Sequence, residues 1–279
     1  MAIQWYPGHM AKATRQMKEQ LKNVDIIVVL GDARAVRRSI IGSFLEVIGN
    51  KRYCMVFNKS DLADEKAIEE WKVRFKEENI DAFFIDCMSK KGIKELLTHL
   101  SSLKERFRFD REVRVMIAGI PNVGKSMLIN SIAGRASAQT GNRPGVTKGN
   151  RWVKVNKEFY LMDTPGVLTP KFDQEADGFV LASLGSVKDT VFDKEELALK
   201  VIEFMSEKYP ALLKERYKLS ELTTPIETYE QIGINRGFRS KGGIVDYDRT
   251  ANIILDEFKN GKIGRISFDR VGDMDNEAE

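Results

Sequence analysis

Cysteine and histidine are both scarce in this chain of 279 residues. The two cysteines are Cys54 and Cys87, and the two histidines are His9 and His99. So few residues exclude a disulfide framework and a zinc site built from cysteine and histidine. Because each cysteine lies in or beside an apolar, strand-like run, we expect buried thiols in a reducing cytoplasm.

Long apolar runs are also missing, since none reaches the roughly 18 residues that a membrane-spanning helix needs. The first nine residues lack the basic and then apolar pattern of a secretory signal. We therefore expect a cytoplasmic protein with no membrane partner. Disorder is excluded as well, because 42% of the residues are hydrophobic and 31% are charged.

The first two-thirds of the chain alternates between apolar β-branched runs and helical patterns. Strands are predicted over residues 25–30, 53–57, 82–85 and 113–118, and helices near residues 10–22, 65–78, 92–107 and 125–133. This alternation is typical of an α/β fold with a mostly parallel sheet. Two further strands, over residues 152–155 and 159–162, are predicted to form a hairpin.

From about residue 178 the pattern becomes helical, so we predict two domains. The first is an α/β domain over residues 1–177, and the second is a smaller, mainly helical domain over residues 178–279. The net charge of +4 divides unevenly, because residues 1–180 carry a basic excess and the remainder an acidic one. A basic face on the first part would suit a polyanion, although many basic side chains merely solvate surface helices.

Residues 119–126, Gly-Ile-Pro-Asn-Val-Gly-Lys-Ser, match the phosphate-binding P-loop pattern. They follow a predicted strand and open a predicted helix, which is the context that the pattern requires. Glycines let the backbone N–H groups point at phosphate oxygens, and the start of the helix adds partial positive charge. Lys125 is then expected at the β- and γ-phosphates, and the Ser126 hydroxyl on Mg²⁺. The backbone contacts are expected from Asn122, Val123, Gly124, Lys125, Ser126 and Met127. A plain glycine-bearing turn with a surface lysine is the alternative.

A second motif, Asn58-Lys59-Ser60-Asp61, comes directly after the strand predicted to end at residue 57. At the end of a parallel strand this pattern reads guanine. The Asp61 carboxylate would accept hydrogen bonds from the ring N–H and the exocyclic amine, neither of which adenine offers. Lys59 would lie along the base, and Asn58 would tie this loop to the P-loop. As an alternative, asparagine and aspartate also simply make turns and helix caps.

A third motif, Asp-Thr-Pro-Gly over residues 163–166, ends the strand that starts at residue 159. Asp163 at this place can hold Mg²⁺ through water, and the Gly166 N–H can meet the γ-phosphate. Thr147 lies in a glycine-rich stretch and is expected to close on the metal, with Thr140 as a less favoured rival. A simple Pro-Gly turn is the alternative for this motif taken alone.

The three motifs together resemble those of GTPases related to translation factors, but their order differs. The guanine motif precedes the P-loop and the Asp-Thr-Pro-Gly motif comes last, which is a circular permutation. A permuted chain can build the same sheet when new ends open in surface loops. One consequence is that the segment after Asp163 runs directly into the second domain, so that nucleotide state could reach that domain.

The wider sequence resembles the ribosome biogenesis GTPase A (YlqF/RbgA) family over nearly the whole chain. Besides the three motifs, the resemblance rests on residues 4–13 (QWYPGHMAKA), 32–34 (DAR), 236–246 (RG…GG…D) and 261–268 (GKIGRISF). It implies a bacterial assembly factor for the large ribosomal subunit that binds GTP, GDP and Mg²⁺ and hydrolyses GTP. We expect a monomer that is slow alone and is stimulated by the subunit, and whose nucleotide state controls its association with a pre-ribosomal particle.

Two site residues follow from the resemblance. Val167 stands where many GTPases place the glutamine that orients water, and the family implies His9 as the replacement. An imidazole can hydrogen-bond the attacking water, although His9 could instead cap or pack the first helix. Asn122 is typical of GTPases that use K⁺ near the transferred phosphate.

One departure from the usual GTPase pattern is the loop that contacts the base, which here reads Asp86-Cys87-Met88-Ser89. Its contacts to guanine are expected mainly from the backbone of Asp86, Cys87 and Met88.

Two other function classes remain open from the sequence. One is an RNA-binding placement factor whose nucleotide is chiefly structural, and the other is a generic P-loop ATPase, which the guanine motif opposes. For RNA, the basic cluster formed by Arg236, Arg239, Lys241 and Arg249 could contact phosphates. A solvated loop explains that cluster equally well.

Overall fold

Six strands in the described part of the chain form one sheet, at the places that the apolar runs predict. The computed structural model describes residues 18–40, 42–107, 111–133, 151–155, 158–164, 175–239 and 242–272. The strands are β1 (Ile26–Asp32), β2 (Arg52–Asn58), β3 (Ala82–Phe84), β4 (Val113–Gly119), β5 (Arg151–Lys154) and β6 (Phe159–Asp163). All seven residues of β1 are buried, as expected for a central strand covered on both faces.

The strand order is β3-β2-β1-β4-β6-β5, and every neighbouring pair is parallel except the β5–β6 hairpin. The register brings the carboxyl ends of the strands to one edge: Asp32 lies opposite Asn58, Leu30 opposite Gly119, and Ile117 opposite Asp163. In open α/β sheets, ligands bind at this edge, where the strand order reverses direction.

Four helices pack with the sheet in the described residues: α1 (Gly42–Ile48), α2 (Glu65–Glu77), α3 (Ile93–Arg106) and α4 (Lys125–Ala133). The predicted helix near residues 10–22 lies mostly outside the described residues. Helix α2 illustrates why these segments form helices against the sheet. Its buried Ile68, Trp71 and Phe75 recur at helical spacing and pack against Met55 and Phe57 of β2.

The second unit, residues 175–266, is helical. Its elements are α5 (Glu175–Ser183), a 3₁₀ turn (Asp189–Val191), α6 (Lys194–Lys208), α7 (Pro210–Tyr217), α8 (Pro225–Asn235) and α9 (Tyr247–Lys259). Side chains of Asp193, Thr224 and Asp246 cap the first turns of α6, α8 and α9. No helix in the described ranges is both long and apolar enough to cross a membrane.

The chain returns to the sheet unit after the helical unit, which differs from the predicted single domain over residues 178–279. Residues 267–272 group with the sheet unit. The physical reason is burial: Val271 packs on the cluster around Trp71, and the Trp71 indole N–H donates to the Asp269 carbonyl at 3.1 Å. The predicted start of the second domain at residue 178 falls inside α5.

Candidate functional site

The P-loop links β4 to α4, and at both of its glycines a neighbouring group lies too close for a side chain. A Cβ on Gly119 would lie 2.1 Å from the Leu30 carbonyl oxygen. Gly124 has φ +102°, and a Cβ there would lie 2.4 Å from Nδ2 of Asn58. Asn122 also adopts a left-handed conformation, with φ 61°. Left-handed residues at Asn122 and Gly124 are typical of the tight phosphate-binding loops in which backbone N–H groups face an anion.

Lys125 is a buried cation inside this loop. Its ammonium donates to the carbonyl oxygens of Ile120 at 2.8 Å and Gly119 at 3.2 Å. Burial lowers the pKa of Lys125 from 10.5 to about 8, while the charge of Asp163 opposes that fall. A buried ammonium that donates to backbone carbonyls and lies in the field of a carboxylate is well suited to an anionic phosphate.

Ser126 and Asp163 meet across the gap between α4 and β6. The Ser126 hydroxyl donates to Oδ2 of Asp163 at 2.7 Å. The Thr164 hydroxyl donates to the Ile117 carbonyl at 2.8 Å, which fixes the end of β6 against β4. A hydroxyl and a carboxylate oxygen are ligands that Mg²⁺ prefers, and this ion usually takes few protein ligands. The two residues therefore fit a magnesium ion shared with phosphate.

Asn58 joins three loops of the site. Its amide nitrogen donates to the Val123 carbonyl of the P-loop at 2.8 Å, which is the tie that the sequence predicts. Its amide oxygen accepts from the Cys87 N–H at 3.1 Å. This second bond was not predicted, because nothing local in the sequence links residues 29 positions apart. Asn58 is buried, so both of its amide groups need these partners.

The loop at residues 86–89 is organised by its own side chains. The Asp86 carboxylate accepts from the N–H groups of Met88 at 2.8 Å and Ser89 at 3.2 Å. Cys87 is buried, and this burial together with the nearby Asp86 charge raises the pKa of its thiol to about 12. Met88 is exposed. Side chains at 86 and 87 thus shape the loop, and its backbone is what can face a base.

A buried ion cluster beneath the guanine motif was not predicted as part of the site. Asp32 and Arg34 are buried, and the guanidinium donates to both carboxylate oxygens at 2.9 Å. The Lys59 ammonium lies 3.0 Å from Oδ2 of Asp32. Burial alone would raise the pKa of Asp32, but the charges of Arg34 and Lys59 lower it well below its usual range. The signal in the sequence was the Asp-Ala-Arg triplet at the end of β1.

The basic cluster of the helical unit is partly structural. Arg236 and Arg216 both donate to the buried carboxylate of Glu257, Arg236 at 2.9 Å. The guanidinium of Arg249 lies 4.3 Å from the centre of the Phe238 ring. Arg236 is therefore the partner of a buried charge, a structural role that neither of the two sequence-based interpretations of the cluster, phosphate contact or solvated loop, had included.

Five residues that the sequence analysis weighed, His9, Thr140, Thr147, Gly166 and Val167, lie outside the described residues, as does Lys241 of the basic cluster. Ser60, whose N–H donates to the Ile85 carbonyl at 3.0 Å, is buried, whereas Asp61 and Met127 are exposed.

Comparisons with known proteins agree with this geometry. Residues 114–230 match the family model described as "50S ribosome-binding GTPase". The chain is 43% identical over 280 residues to ribosome biogenesis GTPase A of Priestia megaterium, covering 96% of this chain and 97% of that protein. It is 30% identical to the protein of the same name from Thermotoga maritima, covering 98% and 96%. The GNP-bound crystal structure of YlqF from T. maritima has a TM-score of 0.67 at 28% identity and covers 93% of this chain and 98% of that one.

The parallel sheet, the P-loop at its centre and the motif order define a circularly permuted P-loop GTPase. This confirms the predicted fold class and the predicted activity, hydrolysis of GTP. The chain belongs to the ribosome biogenesis GTPase A family. Membership also argues against the generic ATPase that the P-loop alone left open.

Proposed function

We propose that this GTPase is an assembly factor for the large ribosomal subunit, binding a precursor particle in the GTP form and leaving after hydrolysis. The observation that carries this is relatedness over nearly the full length to ribosome biogenesis GTPases, together with a family model described by binding to the 50S ribosome. A second observation supports it: Asn58 bonds both the P-loop and the loop at residues 86–89, so base and phosphate would be read by one connected unit.

In this proposal the base lies between the guanine motif and the loop at residues 86–89. Asp61 accepts hydrogen bonds from the guanine N–H groups, and the Lys59 stem lies along the ring. Lys59 supports this role because its ammonium is held 3.0 Å from Oδ2 of Asp32, which restrains the side chain. Backbone groups of Asp86, Cys87 and Met88 face the base, while Asn58 and Ser60 hold the loop together.

The phosphates lie over the start of α4. Backbone N–H groups from Asn122 to Met127 bind their oxygens, and Lys125 exchanges its carbonyl partners for the β- and γ-phosphates. Ser126 and Asp163 hold Mg²⁺ with Thr147, and the Gly166 N–H meets the γ-phosphate. When bound, the ion offsets negative charge that develops on the phosphate oxygens.

Positioning of the attacking water is assigned to His9, the replacement that the family resemblance implies, because Val167 cannot orient water through its side chain. The imidazole of His9 would accept a hydrogen bond from the attacking water while the phosphate loop holds the γ-phosphate in line. Asn122 is the residue through which K⁺ would add positive charge near the transferred phosphate. The protein is proposed to act as a monomer in the cytoplasm.

The deciding experiment is sedimentation with large-subunit precursors in GDP, GTP and a non-hydrolysable GTP analogue, paired with single-turnover hydrolysis. We expect co-sedimentation with the analogue, weaker association with GDP, and faster hydrolysis when particles are present. The rival, an RNA-binding placement factor with a structural nucleotide, predicts equal association in all three states and no acceleration. That result would overturn the proposal.

A further inference from the structure

The six residues 267–272 form a return segment that brings the chain back to the sheet unit from the helical unit, residues 175–266. The segment contacts the loop after β1 and the first turns of α2. Ser267, Phe268 and Asp269 are buried. Their buried polar groups have lost their hydrogen bonds to water and therefore need partners within the protein.

On the β1 side, the return segment is hydrogen-bonded to the loop at residues 34–38. The Phe268 N–H donates to the Arg34 carbonyl at 2.7 Å. The Asp269 carboxylate accepts from the N–H groups of Arg37 at 3.0 Å and Arg38 at 3.2 Å, and also pairs with the Arg38 guanidinium. Burial raises the pKa of Asp269, and the Arg38 charge and these donors oppose that rise.

The same loop is connected to the guanine motif through side-chain contacts. Arg34, whose carbonyl the return segment holds, donates to both oxygens of Asp32 at 2.9 Å. Asp32 in turn lies 3.0 Å from the Lys59 ammonium. Three consecutive contacts thus connect Phe268 to the side chain that is proposed to lie along the base.

On the α2 side, the return segment holds the residue that caps the helix after the motif. The Asp64 N–H donates to the Ser267 hydroxyl at 3.2 Å, and the Asp64 carboxylate accepts from Arg270 at 2.8 Å. The Trp71 indole bonds the Asp269 carbonyl, and α2 packs on β2 through the Phe75–Phe57 stack. Asp64 follows Asp61 by three residues, so the segment supports the guanine motif from its other end as well.

We propose that the return segment is a positioning element for guanine recognition, with Asp269 as its central residue. It touches neither base nor phosphate; it acts by fixing Lys59 through Asp32 and Asp61 through the start of α2. This inference rests on the proposed guanine site. It deepens that proposal by assigning base selectivity partly to residues more than 200 positions away from the motif in sequence.

The test compares base discrimination with overall affinity in the full-length protein. Inosine diphosphate lacks the exocyclic amine that Asp61 is proposed to bind, so the ratio of GDP to IDP affinity reports how well Asp61 is placed. Loss of folded protein lowers the number of binding sites and leaves this ratio unchanged. The variants are Asp269→Ala, which removes the central carboxylate, and Ser267→Ala, which deletes one oxygen atom. Lys72→Ala, on the exposed Lys72–Glu69 pair of α2, is the control.

We expect Asp269→Ala to lower the GDP-to-IDP ratio by about fivefold, Ser267→Ala to lower it by about twofold, and Lys72→Ala to leave it unchanged. A wild-type ratio in both folded variants would overturn the inference. Should Asp269→Ala fail to fold, Ser267→Ala and Trp71→Phe, which keeps the ring but loses the bond to Asp269, decide in its place. A wild-type protein that binds ADP as well as GDP would instead overturn the proposed guanine site.

Discussion

The amide nitrogen of Asn58 lies 2.8 Å from the carbonyl oxygen of Val123, joining the guanine motif to the P-loop. The same spot explains the second glycine of the P-loop, since a Cβ on Gly124 would strike that nitrogen at 2.4 Å. The base and phosphate halves of the site are therefore held in one arrangement by one side chain.

Removing this link should weaken the binding of all guanine nucleotides. Asn58→Ala leaves the Val123 carbonyl and the Cys87 N–H without a partner, and each unpaired group costs on the order of 1–3 kcal/mol. We expect at least a tenfold loss of GDP affinity by isothermal titration calorimetry. Asn252→Ala, on the exposed face of α9, is the matched control. Equal affinity of both variants would show that the two halves are aligned by other contacts.

Base choice should follow Asp61. Asp61→Asn presents an amide donor where guanine has N–H groups but xanthine has a carbonyl. We expect weaker GTP and GDP binding together with measurable binding of xanthosine diphosphate. Competition with a fluorescent nucleotide measures these affinities. If GDP affinity stays at the wild-type level, Asp61 does not contact the base.

Nucleotide binding should weaken in alkaline solution through Lys125. Burial lowers the pKa of Lys125 to about 8 in the free protein, below the value of an unfolded chain. The charged lysine therefore lowers the free energy of unfolding below about pH 8, and this penalty declines as pH rises from about 8 to 10.5. Bound phosphate favours the charged form, so binding takes up a proton above about pH 8. We expect GDP affinity to fall by up to about tenfold per pH unit there.

The pH dependence is measured by calorimetry in buffers of different ionisation enthalpy, which counts the protons taken up. Lys125→Met should bind weakly and show no break in this range. A break that persists in that variant would assign the titration to another group.

The main role of Arg236 should be to stabilise the fold of the helical unit, with any contribution to RNA binding secondary. It shares the buried Glu257 carboxylate with Arg216 and is itself 30% exposed. Arg236→Ala should lower the free energy of unfolding of the helical unit by about 1–2 kcal/mol, less than for a fully buried pair, because Arg216 remains and solvent screens the site. Urea unfolding measures this, with Arg239→Ala as the control.

If the basic cluster also contacts phosphate, Arg239→Ala should weaken particle binding without changing stability, and binding should fall as salt rises. Unchanged binding by folded Arg239→Ala would show that this arginine is merely solvated.

The chemical step should depend on His9. We expect His9→Ala to keep GTP affinity but to lose most of the acceleration by large subunits, because the lost interaction forms in the transition state. The variant should also leave the particle more slowly. Single-turnover rates with saturating subunits test this. Agreement with wild type within about twofold would assign the water-positioning group to the ribosome or to another residue.

Local patterns in the sequence were sufficient for the strands, most of the helices and the three motifs. The β-branched run of β1 predicts a buried central strand, and the strand–loop–helix context of Lys125 predicts a phosphate site, because each signal lies within a few neighbouring residues. The tie from Asn58 to the P-loop also followed, since parallel strands bring their carboxyl ends to one edge.

Tertiary structure alone decided the contacts between distant residues. Asp269 bonds Arg37 and Arg38 across more than 230 positions, and no local pattern marks a carboxylate so near the end of the described chain as part of the sheet unit. The sequence likewise left Arg236 open between phosphate contact and simple solvation, and only the fold places the buried Glu257 carboxylate beside it. Sequence determines which side chains carry charge, but only packing determines which of those charges lose water and must find a partner.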